Sequence, residues 1–190
     1  DSRAAGNLIA TGDSISYNVT TSDTLWVEGY NAITETIGLT DTMSYTNSRF
    51  LSVPAPRGIE FTVNTATYLR AISIMTNGPI EGDIEIWQGG VGGTLINAWR
   101  DIDMPTPGWQ RIQLDQYLTA GGGNYTLVVA NVTGTGEVYA DVFPTAPNWT
   151  TDFSNGFITL VQSYPASTNA YQRIYRWEVE VDHCNTPRQH

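Results

Sequence analysis

The sequence predicts an all-β fold, an antiparallel β-sandwich of jelly-roll-like winding led by an extended N-terminal segment. Three observations carry that expectation. Short runs alternate apolar and polar residues at the period of a half-buried strand. Clusters of Gly, Pro, Asn and Asp separate the runs at intervals of about ten residues, as turns between antiparallel strands require. No window of about twelve residues carries apolar side chains at helical spacing, so the crossover helices of a parallel sheet have no source.

The alternation can be followed along the chain. In Gly58–Val63, Ile59, Phe61 and Val63 oppose Glu60 and Thr62. In Asp83–Trp87, Ile84 and Ile86 oppose Asp83, Glu85 and Trp87. Ile112 and Leu114 oppose Arg111 and Gln113, and Tyr125, Leu127 and Val129 follow the same rule. Near the end, Ile174, Arg176, Glu178, Glu180 and Asp182 take one face; Tyr175, Trp177, Val179 and Val181 take the other. Turn signals fall between: Asn77-Gly78-Pro79, Gly89–Gly93, Pro105–Gly108, Gly121–Asn124, Gly134-Thr135-Gly136 and Asn155-Gly156. Strands over Ser14–Thr20 and Thr24–Glu28 are expected to pair with the sandwich or with a neighbouring subunit. Residues 1–53 therefore read as an extension rich in Ser, Thr and Asp, and residues 54–190 as the sandwich domain; the first part holds too little aliphatic side chain for a core of its own.

Residues 58–130 run GIEFTV, LRAISI, GDIEIWQGGVGGTLI, TPGWQRIQL and LTAGGGNYTLVV. This order resembles secreted bacterial and archaeal β-sandwich modules of the jelly-roll sort found in carbohydrate-binding and surface-anchored proteins. The resemblance implies a fold and a secreted or surface location. It rests on turn glycines and alternating aliphatics and transfers no ligand residue.

Composition excludes several classes of function. Nine basic against nineteen acidic side chains leave a net charge of −10, and every cation is Arg. Nucleic acid is not an expected partner, because phosphate binding needs clustered cations. Neither is membrane insertion, since no apolar run approaches the roughly 20 residues of a spanning helix. A chain starting at Asp1 without a signal pattern reads as a mature, extracellular or surface protein. The single Cys184 rules out an intramolecular disulfide and leaves a bond between chains open. Sequons at Asn18, Asn124, Asn131 and Asn148 mark sites for glycosylation, although a chain rich in Asn and Thr produces such triplets by chance.

The candidate chemistry divides three ways. With His183 and His190 alone in the tail and no Gly-x-Ser-x-Gly, a nucleophile triad has no base. No catalytic residue is assigned, and the chain is expected not to be an enzyme; a glycoside hydrolase, built on Glu85 with Glu60 or on Asp101 with Asp103, stands third. The leading reading is a structural subunit of a filament, sheath or coat. Such a chain self-associates when a strand presenting Ile15, Tyr17 and Val19 is added to a neighbour's sheet. The alternative is a carbohydrate-binding module or lectin-like adhesin that stacks a glycan on Trp87, with Asp83, Glu85 and Gln88 beside it, or on Trp149; Trp99 next to Arg100 follows these. No cofactor is required. Calcium is the metal that the carboxylates of Glu178, Glu180 and Asp182, or of Asp101 and Asp103, would take, against the plainer reading of a solvated strand face.

Overall fold

The alternating runs become strands wherever a turn cluster lets the chain reverse. The computed structural model describes residues 31–43, 45, 47–51 and 55–183. In chain order the strands are β1 (Asn31–Ile37), β2 (Arg49–Leu51), β3 (Arg57–Val63), β4 (Thr67–Thr76), β5 (Ile80–Gln88), β6 (Thr94–Met104), β7 (Gly108–Leu118), β8 (Asn124–Gly134), β9 (Val138–Val142), β10 (Ile158–Tyr164), β11 (Ala170–Gln172) and β12 (Tyr175–His183). A single helical turn, α1 (Trp149–Asp152), interrupts the series. Each predicted turn cluster falls in a connection or at a strand end.

The strands form two antiparallel sheets. One has five strands in the order β10-β3-β8-β5-β6. The other has seven: β4 lies between β7 and β12, β12 also pairs with β1, and β9 carries β2 and β11. From β3 onward the chain changes sheet at most connections, the winding expected of a jelly-roll-like sandwich. Ile59, Phe61, Ile84, Ile86, Leu127 and Val129 of the five-stranded sheet meet Leu69, Ile72, Ile74, Ile112, Trp177 and Val179 of the other, all buried. Phe61 stacks on Tyr125 with centroids 5.5 Å apart and meets Trp177 edge-on at 5.2 Å, so one ring bridges the sheets. At the open side, the Asn97 amide donates to the Gln116 side-chain oxygen at 2.9 Å, tying edge strand β6 to edge strand β7.

Bulges interrupt the register within the seven-stranded sheet. In β4 the two steps from Leu69 to Ala71 face the single step from Val179 to Glu178 of β12, so the inward set changes from odd to even numbers and Ile72 and Ile74 enter the core; at the same level the extra residue against β7 belongs to β7, where Asp115 takes a left-handed φ of 49°. In β12 the slip lies between Tyr175 and Glu178, where Arg176 takes a left-handed φ of 49°. The alternation predicted for 174–182 holds from Tyr175 to Glu180, with Tyr175, Trp177 and Val179 buried and Arg176, Glu178 and Glu180 half-buried; Ile174, just before β12, departs from it and is buried. Arg176 then lies over the Trp109 ring, 4.0 Å from its centroid.

The buried Asp141 carboxylate in β9 organises the segment before β2. It accepts hydrogen bonds from the Met43 N–H at 3.2 Å, the Ser48 hydroxyl at 2.8 Å and the Tyr175 hydroxyl at 3.1 Å. Burial, with the Asp141 charge adding to it, pushes the Tyr175 pKa upward, so that phenol remains the donor. No helix among the described residues is long and apolar enough to cross a membrane.

Candidate functional site

The outer face of the five-stranded sheet gathers most of the residues singled out from the sequence. Because Ile84 and Ile86 of β5 point into the core, Asp83, Glu85 and Trp87 share the opposite face. The register extends that face across all five strands. Leu95, Trp87, Thr126, Glu60 and Gln162 lie opposite one another in one row, and Ala98, Glu85 and Val128 in the next.

Asp83 is only 6% exposed, yet it is well provided with donors. It accepts from Arg100 Nη1 at 2.6 Å, from Asn131 Nδ2 at 2.7 Å and from the Asp101 N–H at 3.0 Å. Both neighbouring strands supply these donors by bulging at the same level. β6 has an extra residue between Trp99 and Ile102, and β8 has one between Ala130 and Thr133. Asp101 and Asn131 take left-handed φ values of 54° and 51° there. They are side chains that tolerate that region better than most. Burial alone would raise the Asp83 pKa; the bonds from Asn131, the Asp101 N–H and Arg100 outweigh it and hold the pKa below the usual carboxylate range.

Glu85, also buried, gives one oxygen to Arg100 Nη1 and the other to the Trp87 indole N–H at 2.8 Å. The guanidinium thus joins two buried carboxylates while its own side chain stays 46% exposed. Trp87 is half-buried, its ring orientation fixed by Glu85, and the 41%-exposed Leu95 lies opposite it. Gln88 donates to the Gly122 carbonyl and so fastens the 119–123 turn to the end of β5. The result is an apolar ledge of Trp87 and Leu95 beside fixed charges, a combination suited to stacking a flat ligand and accepting its hydroxyl protons.

Of the carboxylates weighed for a glycosidase, Glu85 and Glu60 both lie on this face. Both Glu85 oxygens are engaged, and Glu60 receives the Gln162 amide at 2.8 Å.

The other candidates lie elsewhere. Trp149, predicted to be open in a loop, is instead 6% exposed. Its ring stacks on Tyr171 at 5.6 Å and 4°, meets Phe153 at 5.4 Å, and donates its N–H to the Thr168 carbonyl at 2.9 Å. It closes one part of the core and has no face for a ligand. Trp99 sits opposite Ile84 and packs against the core. The acidic residues of β12 meet arginines of β4 and, across it, of β7. Glu178 receives two bonds of 2.6 Å from Arg111, and Glu180 receives Arg70 at 2.5 and 3.0 Å. Arg70 also reaches Asp115 at 3.1 Å. The side chain of Asp182 lies outside the described residues. Asp101 is turned by its bulge, and the exposed Asp103 pairs with Glu81. No group of three or more His, Cys, Asp or Glu among the described residues is arranged to hold a metal ion.

Of the sequons, Asn124 and Asn148 are exposed, Asn148 preceding α1. Asn131 is exposed too, but its amide nitrogen is the one bonded to Asp83. Asn18, the strand residues Ile15, Tyr17 and Val19, and Cys184 lie outside the described residues. Sequence reasoning missed Arg100 and Asn131 as partners of Asp83, because period-two alternation does not register a bulge. The available signal was an Asp and an Asn, Asp101 and Asn131, inside otherwise regular strands.

No family model and no curated protein matches the sequence. Among solved structures, this chain is similar to a family 35 carbohydrate binding module from an environmental isolate, at 19% identity over 71% of this chain and 93% of that one, with a TM-score of 0.34. The sandwich assignment rests on the strands and registers described above.

Proposed function

We propose that this chain is a non-catalytic glycan-binding module that works outside the cell, with the Trp87 face of the five-stranded sheet as its binding surface. The observation that carries the reading is the bond from the Trp87 indole to Glu85, itself joined through Arg100 to Asp83. An aromatic ring held in place before its ligand arrives loses little conformational entropy on binding, which is what a stacking platform needs. Carboxylates accept hydrogen bonds from sugar hydroxyls, and the partly exposed Arg100 supplies donors. A sandwich offers this face on strands fixed by their ladders.

The test is a tryptophan-fluorescence and calorimetric titration with soluble oligosaccharides, using the parent chain and Trp87→Ala. Binding by the parent that falls at least about tenfold in the variant, with far-UV spectra unchanged, supports the reading. Equal binding by both chains would place the site elsewhere.

Self-assembly by strand addition is the second reading, favoured by one observation: among the described residues β6 and β7 each pair on one edge, and each is 11 residues long. Sedimentation of the full chain against a chain lacking residues 1–22 tests it. Large particles formed by the first and not by the second support assembly; a monomer in both cases removes it.

A further inference from the structure

We infer that the binding face continues from Trp87 across β8, β3 and β10 through Thr126, Glu60 and Gln162, and that it selects an extended, uncharged saccharide over an acidic one. The inference rests on the glycan-binding reading above and specifies its ligand.

Register supplies the geometry. Trp87 is opposite Thr126, Thr126 opposite Glu60, and Glu60 opposite Gln162. Directly opposed residues in antiparallel strands share a face. Three strand spacings separate Trp87 from Gln162, about 14 Å at the usual inter-strand distance, a span longer than one sugar ring.

Thr126 supplies the second observation. Its side chain is fully buried on this face, and its hydroxyl oxygen has no hydrogen-bond partner among the described residues. Buried hydroxyls nearly always find one, and an orphan is costly enough to need a reason. Its cross-strand neighbours are the Trp87 ring and Glu60, so a shift of the Glu60 side chain alone, with the Trp87 ring left in place, would bring a sugar hydroxyl to it. Glu60 gives one oxygen to Gln162, and its other oxygen is without a partner among the described residues. The row therefore offers a stacking ring, an unused hydroxyl and an unused carboxylate oxygen in sequence.

Charge sets the selectivity. Among the described residues the face around Trp87 carries Asp83, Glu85 and Glu60 against Arg100, which is already bonded to Asp83 and Glu85. A uronate or sialate brought here meets uncompensated negative charge; a neutral chain donates hydroxyl protons to the same carboxylates.

The experiment is calorimetric titration of the full chain with cellohexaose, mannohexaose, xylohexaose and hexagalacturonate at low and moderate salt. The same panel is run on Trp87→Ala, Thr126→Val, Glu60→Gln and Gln162→Ala. The expected result is binding of at least one neutral hexamer, at least about tenfold tighter than its monosaccharide and than hexagalacturonate. Thr126→Val should weaken that binding about fivefold while raising the melting temperature, because the substitution removes an orphan hydroxyl at nearly constant shape. A purely structural Thr126 would give the melting shift without the affinity loss. Preferred binding of hexagalacturonate overturns the selectivity. Neutral binding lost in Trp87→Ala but unchanged in Thr126→Val, Glu60→Gln and Gln162→Ala overturns the extended row and leaves the Trp87 reading standing. Absence of binding by every saccharide overturns both.

Discussion

Replacing Asp83 by Ala is the most informative perturbation of this fold, because two bulges converge on one carboxylate. Asp83 sits in β5 where both neighbouring strands bulge, and it bonds Arg100, Asn131 and the Asp101 N–H. Arg100 retains Glu85 after the substitution, and the exposed Asn131 amide is rehydrated, so the three bonds should not be summed. One charge-assisted bond, worth about 2 kcal/mol, and one left-handed residue deprived of its anchor, worth about 1 kcal/mol, give a loss of about 3 kcal/mol. In a domain of this size that is a fall in Tm of about 6–12 °C. Urea denaturation followed by tryptophan fluorescence measures it directly. Asp83→Asn, which keeps an acceptor for the Asp101 N–H, should lose about half as much. Adding Asp101→Gly to Asp83→Ala should recover about 1 kcal/mol, since Gly adopts the left-handed conformation without strain. An Asp83→Ala chain within about 0.5 kcal/mol of the parent would refute the view that this carboxylate holds the bulges.

Other expectations follow from the same contacts. Phe61→Ala removes the ring between Tyr125 and Trp177 and should cost about 3–5 kcal/mol in denaturant unfolding, as buried aromatic truncations do. The pKa values of Asp83 and Glu178 are lowered, the first by its hydrogen bonds against the opposing effect of burial and the second chiefly by Arg111. Groups with depressed values stabilise the fold above their unfolded pKa, so stability measured against pH should hold above about 5 and decline below about 4, as each is protonated on the way to its folded value. A stability that rises on acidification through that window would contradict the assignment. Arg111→Gln, at a pair whose arginine is 51% exposed, should cost less than about 1 kcal/mol, and 1 M salt should abolish the difference.

The sheets were legible in the sequence because alternation and turn glycines act locally. Ile84 and Ile86 could only be buried by turning Asp83, Glu85 and Trp87 outward, and Asn77-Gly78-Pro79 could only break a strand. What was not legible is non-local. Trp149 follows a Pro in a polar loop and reads as exposed; only the fold brings Tyr171 and Phe153 around it. The acidic stripe of β12 reads as a metal site or a solvated face until β4 and β7 place Arg70 and Arg111 beside it. Bulges escape for a related reason: they are agreements between two strands about register, and a single strand's pattern records them only as a lapse.

The pairing of β1 with β12 has a mechanical consequence. Asn31 lies opposite His183, so the first and last of the described residues sit at adjacent positions on one antiparallel ladder. Tension applied across those two residues would load the ladder one rung at a time, opening Asn31 from His183, then Ala32 from Asp182, and so on toward Ile37 and Trp177. An unzipping geometry yields at low force, whereas a sandwich pulled from opposite ends has to shear all its rungs together. Held by that pair of ends, the domain would act as a weak, re-closable link, able to lengthen under load while β3 to β10 and the face they carry remain folded.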